Sequence, residues 1–187
     1  MIKLTAFTSN IYAEYNFLKD EEIDNIISSI DVKTLDHHGA LVGNAKSTYN
    51  VHTKGMTKTN YHGDFLKDHK HIKNRLIKAS PITKLRITNS WCNVQGKHSK
   101  LNYHNHPDSI LSGIIFLQVD KNSSKLYFRN PNSKYFNIDD DVSITPERGL
   151  MLMWPSWLLH GSGGTENKSD ERIVLSFNTF YQRGDNA

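Results

Sequence analysis

The chain has 187 residues, of which 37% are hydrophobic and 22% are charged. This composition is typical of a globular protein with its own core and argues against a disordered chain. No apolar run approaches the roughly 18 residues that span a bilayer, and the first residues lack the apolar core of a signal peptide. We therefore expect a single cytoplasmic domain over residues 1–187 that has no membrane partner.

The charge balance of 23 basic against 19 acidic residues says little about function. The lysines are scattered and do not form the basic stripe with aromatic partners that is typical of nucleic-acid binding. We expect small-molecule ligands, with a nucleic-acid binder acting through residues 54–100 as a minor alternative. The single cysteine, Cys92, excludes an intrachain disulfide and a zinc site made of several thiolates. Whether the chain forms a homodimer stays open.

The first 82 residues predict an extended segment followed by two helices. Residues 4–17 mix β-branched and aromatic types, which favour a strand. Asp20 is the expected N-cap of a first helix. A second helix is expected over 64–78 and ends before Pro81, while residues 31–62 show no period and predict a long loop. Four residues of the first helix have the spacing of one amphipathic face: Ile23, Ile26, Ile27 and Ile30.

After Pro81 the pattern changes from helical to β. Short strands that are separated by turn signals, without helices between them, predict an antiparallel sandwich or barrel. We find no repeat or linker, so the β core over 83–181 and the supporting segment 1–82 are expected to form one domain. The predicted strands cover 84–91, 101–106, 110–119, 126–128, 142–144, 150–154 and 172–181.

Three histidines in the β region have the spacing of a metal site. His104 and His106 lie two residues apart, so in an extended segment their side chains share one face. His160 precedes the glycine-rich segment 161–164, where the backbone can approach a ligand closely. Imidazole is a ligand for Fe, Zn, Cu or Ni. Histidines that only titrate on a surface strand are the alternative to this metal site.

The last predicted strand places an arginine among polar residues. Arg172, Ser176 and Asn178 alternate with an apolar set, so one of the two faces looks into the barrel. A buried arginine is costly unless it meets an anion, and its planar fork fits a carboxylate. In the alternative arrangement the apolar face turns inward, and Arg172 pairs in solvent with Asp170 or Glu171.

Several separated segments carry the motifs of one known family, in the family's order. The motifs are Ser90-Trp91-Cys92-Asn93, Gly96, His104-x-His106-Pro107-x-Ser109-x-Leu111-Ser112-Gly113, Leu126-x-Phe128-x-x-Pro131, Pro155-Ser156-Trp157-Leu158-x-His160, Glu171-Arg172-Ile173 and Ser176-Phe177-Asn178. With them the chain resembles, between residues 83 and 181, the 2-oxoglutarate/Fe(II)-dependent oxygenases of bacteria and phages. A phage-encoded member would act in the host cytoplasm.

The resemblance implies a mainly β fold with N-terminal helices, a double-stranded β-helix (jelly roll, cupin-like). It also implies that His104 and His160 bind Fe(II), while Arg172 binds the distal carboxylate of 2-oxoglutarate and O₂ is the oxidant. The wider superfamily has His-x-Asp where this chain has His-x-His, so His106 takes the place of the carboxylate. Asp108 is the alternative third ligand, because residues 106–108 themselves read His-x-Asp.

Further residues are expected around the cosubstrate. Val174 stands where an Arg-x-Ser pair is common in the family, and Ser176 on the same face can supply that hydroxyl. Asn93, Ser109 and Ser112 are candidates for hydrogen bonds to the cosubstrate or to the imidazole ligands. The implied activity is hydroxylation of an unactivated C–H bond with release of succinate and CO₂. A three-histidine zinc enzyme and a non-catalytic, metal-binding jelly roll are the alternatives.

Overall fold

The structure is a computed structural model that describes residues 9–31, 35–36, 39–49, 63–131 and 141–182. The beginning of the predicted opening strand and most of the predicted loop over 31–62 lie outside these ranges. In the described part of the chain, no helix has the length and apolar character needed to cross a membrane.

The described residues form mainly short strands and two α-helices. The helices are α1 (Asp20–Ser28) and α2 (Lys70–Ala79), and a 3₁₀ turn covers Phe65–Asp68. The strands are β1 (Tyr12–Glu14), β2 (Leu41–Val42), β3 (Ala45–Ser47), β4 (Leu85–Gln95), β5 (Lys100–Leu101), β6 (Leu111–Gln118), β7 (Leu126–Phe128), β8 (Val142–Ile144), β9 (Met151–Pro155), β10 (His160–Gly161) and β11 (Arg172–Tyr181).

The strands build a jelly roll, as predicted. The larger sheet has the order β1-β9-β6-β11-β4-β3, and each neighbouring pair is antiparallel. The smaller sheet has the order β10-β7-β8, and its β10 edge is extended by a bridge from His160 to His104, just beyond β5. From β4 to β11 the chain passes back and forth between two facing sheets, with β7 and β8 following each other in the smaller one, which is the double-stranded β-helix.

Two apolar layers lie on the two faces of the larger sheet. The outer layer packs α1 and α2 against one face of β11, which contributes Ile173, Leu175 and Phe177. The inner layer fills the space between the sheets and includes Val174 and Trp154. The period-two alternation of β11 thus sends its fully apolar face to the helices and its polar face into the jelly roll.

Strand β4 runs four residues further than predicted, to Gln95. Its ladder with β11 slips by one residue between Ile87 and Asn89, so Thr88 is an extra residue on β4. Such a bulge changes the phase of the alternation. Ile87 therefore packs toward the helices, whereas Asn89 and Trp91 line a cavity on the inner side.

Three local predictions were wrong. The N-cap of α1 is Lys19, whose backbone N–H donates to Glu22 Oε2 at 2.9 Å. The helix predicted over 64–78 is divided at His69, where φ is −117° and ψ is 50°, into the 3₁₀ turn and α2. The strand predicted over 101–106 ends at Leu101 and continues only as the isolated bridge at His104, because His106 N–H already bonds to the loop carbonyl of Ser156.

Candidate metal centre and active site

The three predicted histidines converge at one end of the jelly roll. Each offers one nitrogen, and these three atoms lie within 4.8 Å of one another. The ring centroids are 4.3 Å apart for His104 and His160, 5.1 Å for His104 and His106, and 5.2 Å for His106 and His160. Backbone hydrogen bonds of 3.1 and 3.0 Å between His104 and His160 hold the first pair together.

The hydrogen bonds of two rings determine which nitrogen is available to a metal. His104 Nδ1 lies 2.8 Å from the carbonyl oxygen of Asn102, and His160 Nδ1 lies 3.0 Å from that of Leu158. A carbonyl only accepts, so each Nδ1 carries the hydrogen and each Nε2 is left as an unprotonated ligand. This is the usual arrangement of a metal-binding histidine.

Both of these imidazoles are held neutral. Burial lowers the pKa of His104. Burial, together with the neighbouring His104, lowers the pKa of His160 well below its ordinary value. Metal ions bind the neutral ring, so protons compete weakly for these two ligands near neutral pH.

The third ring has a side-chain neighbour. Asn178 Nδ2 lies 3.4 Å from His106 Nδ1, and Ser112 Oγ donates to Asn178 Oδ1 at 2.7 Å. Ser112 Oγ is also 2.9 Å from Ser156 Oγ. Exchanging the amide O and N of Asn178, which have nearly the same shape, would let Oδ1 accept from a protonated His106 Nδ1. This chain of polar groups therefore orients His106.

Asp108, the alternative third ligand, does not join the cluster. Its side chain is exposed to solvent, and the candidate metal-binding group found among the described residues contains only the three histidines. Pro107 follows His106 in a turn, so Asp108 does not continue the alternation that would align it with the rings.

Arg172 points into the jelly roll, which rules out the solvent-facing alternative. Its side chain is 3% exposed, and burial lowers the pKa of its guanidinium to about 10. Nη1 donates to Gln95 Oε1, but no ion pair to Arg172 is found in the described part of the chain. Asp170 and Glu171, the alternative partners, bind Lys97 and Gln118 instead. Burying an uncompensated charge costs several kcal/mol.

A narrow inner cavity of about 30 Å³ joins this arginine to the histidines. Most of the residues that the sequence singles out for the site line this cavity, whereas Asp108 and Ser109 do not. Those that line it are Asn93, His104, His106, Ser112, His160, Arg172 and Ser176.

The region around this site matches a known family. Residues 89–178 match the sequence model of the family described as "Putative 2OG-Fe(II) oxygenase". The core of this chain is thus similar to the 2OG-Fe(II) oxygenases. This confirms the resemblance drawn from the motifs, and the predicted cofactors Fe(II), 2-oxoglutarate and O₂ are those of this family. No curated protein matches the chain significantly.

Solved structures of oxygenases share the fold. A prolyl-4-hydroxylase from Pseudomonas putida is 13% identical with a TM-score of 0.59, and the match covers 95% of each chain. A viral collagen prolyl hydroxylase from Paramecium bursaria Chlorella virus-1, solved with 2-oxoglutarate, is 15% identical over 90% of this chain and 94% of its own, with a TM-score of 0.58. HygX from Streptomyces hygroscopicus, with nickel and 2-oxoglutarate bound, gives a TM-score of 0.65 at 10% identity, over 94% of this chain and 84% of its own. At these identities the likeness shows a shared fold alone.

The residues present fit the two groups that a 2OG-Fe(II) oxygenase requires. Three imidazole nitrogens that converge on one point suit a divalent iron. Among the described residues, Arg172 Nε and Gln95 Nε2 are buried donors without a hydrogen-bond partner, and both residues line the inner cavity. Two such donors beside an uncompensated positive charge fit a carboxylate.

The sequence analysis missed Gln95 at this site, and its aromatic pattern gave Trp154 only as a residue suited equally to a wall of the site and to the core. Gln95 holds the guanidinium of Arg172, and Trp154, with its buried Nε1 unpartnered among the described residues, packs 4.8 Å from the ring of His160. Gln95 lies two residues after Asn93, so a strand predicted to run that far would have placed both side chains on the same face.

Proposed function

We propose that this chain is a 2-oxoglutarate- and Fe(II)-dependent dioxygenase that hydroxylates a C–H bond of its substrate. In the balanced reaction, one atom of O₂ enters succinate and the other enters the new hydroxyl group, while 2-oxoglutarate loses CO₂. The observation that carries the proposal is Arg172, a buried guanidinium without a carboxylate partner among the described residues, on the same cavity as the three imidazoles. An organic anion is the ligand that fits this arrangement.

Each residue then has a defined task. His104, His106 and His160 hold the iron through neutral nitrogens, and Arg172 holds the distal carboxylate of the cosubstrate. Gln95 keeps the guanidinium in place through Oε1 and offers Nε2 to the same carboxylate, while Asn93, Ser112 and Ser176 surround the cosubstrate with polar groups. When bound, the iron supplies the O₂ activation that no side chain can provide.

The walls of the site keep water away from the reacting groups. Phe116, Phe128 and Trp154 are each no more than 2% exposed and belong to the inner apolar layer beside the cavity. A dry site strengthens the attraction between Arg172 and the cosubstrate and protects reactive species from side reactions. The single-domain organisation over 1–187 and the cytoplasmic location stay predictions.

A three-histidine zinc enzyme is a second candidate, because the metal-binding group among the described residues contains only imidazoles, as catalytic zinc sites often do. In that enzyme a metal-bound water would react, and Arg172 would have no part. The non-catalytic jelly roll would bind metal and 2-oxoglutarate without turnover.

One experiment separates the three candidates. The purified chain is loaded anaerobically with Fe(II) or Zn(II), given 2-oxoglutarate and then exposed to O₂, while succinate and O₂ are measured. The dioxygenase releases succinate in step with O₂ uptake, with Fe(II) only. Binding of 2-oxoglutarate without succinate would indicate the non-catalytic protein. Absence of 2-oxoglutarate binding with either metal would contradict the proposal and leave the zinc enzyme.

A further inference from the structure

A second, larger cavity of about 340 Å³ adjoins the three-histidine cluster. It shares Trp91, His104 and His106 with the inner cavity, but Arg172, Gln95 and Ser176 line the inner cavity alone. The two cavities thus meet at the imidazoles. With the cosubstrate assigned to the inner cavity, the outer one is where a substrate reaches the metal. Its volume lies at the lower end of small-molecule sites, which favours a compact substrate.

Two opposite charges line this outer cavity without a partner. Arg86 is on β4, opposite Phe180 of β11, and Asp108 lies in the turn after His106. Neither side chain forms a hydrogen bond or an ion pair in the described part of the chain. Other arginines there do have partners: Arg75 binds Glu22, Arg129 and Arg148 face aspartates, and Arg172 binds Gln95.

The position of Arg86 depends on the bulge in β4. Without the extra residue at Thr88, a side chain at position 86 would share a face with Ser90 and Cys92, which look toward the helices. The bulge instead places Arg86 on the same side as Trp91 and Asn89, beside the histidines. Bulges that redirect a side chain are common next to active sites.

The remaining walls are polar or aromatic. Asn89, Asn105 and Ser109 offer hydrogen-bonding groups. Tyr49 packs edge-on against Trp91, with ring centroids 5.2 Å apart, and Phe180 closes another side. These surfaces suit the aliphatic or aromatic portion of a ligand that carries a charge at each end.

We infer that the outer cavity binds a small zwitterion of the amino-acid class, with its carboxylate on Arg86 and its ammonium group on Asp108. This inference rests on the proposed oxygenase function and names the substrate of that site. A nucleotide phosphate would meet Asp108 as a like charge, and an internal peptide segment would leave both Arg86 and Asp108 unmatched.

The test measures succinate formation by the Fe(II)-loaded full chain with 2-oxoglutarate. The probes are the free proteinogenic amino acids, their N-acetyl and carboxamide forms, their doubly blocked forms, and mononucleotides. We expect at least one free amino acid to raise succinate formation above the substrate-free rate. Blocking either end of that amino acid should lower kcat/KM at least 10-fold.

Two substitutions test which residue binds which end of the amino acid. Arg86→Gln should lower kcat/KM for the free amino acid at least 10-fold yet hardly change kcat/KM for its carboxamide. Asp108→Asn should likewise lower kcat/KM for the free amino acid at least 10-fold yet hardly change kcat/KM for its N-acetyl form. Lys121→Gln and Glu14→Gln, which remove the same charges from exposed positions away from the cavity, are the matched controls. Equal losses for free and blocked forms would overturn the inference.

Other outcomes are equally decisive. If doubly blocked amino acids or nucleotides stimulate as well as free amino acids, or if no free amino acid stimulates, the zwitterion assignment is wrong. If the chain still forms succinate without an added substrate in that case, the proposed function is unaffected. Failure of the Fe(II)-loaded chain to bind 2-oxoglutarate at all would instead remove the proposed function itself.

Discussion

Arg172 and Gln95 face each other across the antiparallel ladder of β11 and β4, and the guanidinium of Arg172 donates to the side-chain carbonyl of Gln95. The partner is neutral, so it positions the arginine without cancelling its charge. A carboxylate at position 95 would neutralise the guanidinium inside the fold and compete with any incoming anion. The pairing therefore keeps a buried positive charge available to a ligand.

Substitution at Gln95 tests this relationship. Gln95→Glu should lower the affinity for 2-oxoglutarate at least 10-fold in the Fe(II)-loaded protein, because the new carboxylate occupies the guanidinium and repels the cosubstrate. Gln95→Met, which removes the hydrogen bond without adding charge, should have a smaller effect. Anaerobic calorimetry measures both affinities. Equal losses in the two variants would mean that Gln95 only supports packing.

The choice between His106 and Asp108 as third ligand is open to direct measurement. His106→Ala should weaken Fe(II) binding at least 10-fold because it removes one of three ligands, whereas Asp108→Ala should leave the affinity within a factor of about two, since Asp108 lies outside the cluster. Competition with a chelating dye gives the dissociation constants. The opposite ranking would reassign the third ligand to Asp108.

The polar chain behind His106 predicts a second effect on metal affinity. Asn178→Ala should reduce metal affinity roughly 10- to 100-fold, the usual cost of losing a group that orients a ligand. Asn178→Asp should recover much of the loss, because a carboxylate accepts from His106 Nδ1. The same dye competition, with circular dichroism to check folding, measures this. An alanine variant with wild-type affinity would exclude the orienting role.

Glu22 predicts how stability depends on pH. Its burial raises the pKa of the carboxyl group, but hydrogen bonds from the Lys19 amide and from Arg75 outweigh burial and lower that pKa below 4.5. The folded state therefore binds fewer protons than the unfolded state. The stabilisation is present above pH 4.5 and is lost as the pH falls through the lower folded pKa.

The variant Glu22→Gln should lose about 1–2 kcal/mol of unfolding free energy at neutral pH and show a weaker acid dependence than the wild type. Glu21→Gln, in the same helical turn but exposed, should lose less than about 0.5 kcal/mol. Urea unfolding at several pH values measures both. Equal acid dependence in the wild type and in Glu22→Gln would assign the effect to another group.

The strict alternation of β11 explains why part of the site could be predicted. Arg172, Ser176 and Asn178 lie on one face because nothing interrupts the strand between them, and the family motifs identified the histidines on other strands. The strand pattern also predicted an antiparallel sandwich or barrel, and the family resemblance specified the jelly roll. Each of these predictions depends on local periodicity or on short motifs, which the sequence contains directly.

The missed features depend on contacts between distant segments. The predicted strand stopped at Trp91, whereas β4 continues through Asn93 and Gln95, which face the cavity beside Arg172. The bulge that places Arg86 on the outer cavity arises from pairing with Asn178 and Thr179 of β11, a strand distant in the sequence. The divided second helix is held by a further contact of this kind, because Asp64 at its start binds Ser90 on β4 and Lys73 on α2. No local pattern encodes these contacts.

The most direct test of the account is an anaerobic titration of the Fe(II)-loaded chain with 2-oxoglutarate, followed by the weak visible charge-transfer band and run in parallel on Arg172→Gln and Arg172→Lys. We predict a band that saturates at one cosubstrate per chain in the wild type. In Arg172→Gln the affinity should fall roughly 30- to 1000-fold, the range for truncating a buried charged partner, and Arg172→Lys should recover only part of it because it lacks the planar fork. A wild-type protein without the band, or an Arg172→Gln variant that binds 2-oxoglutarate as tightly as the wild type, would contradict the account.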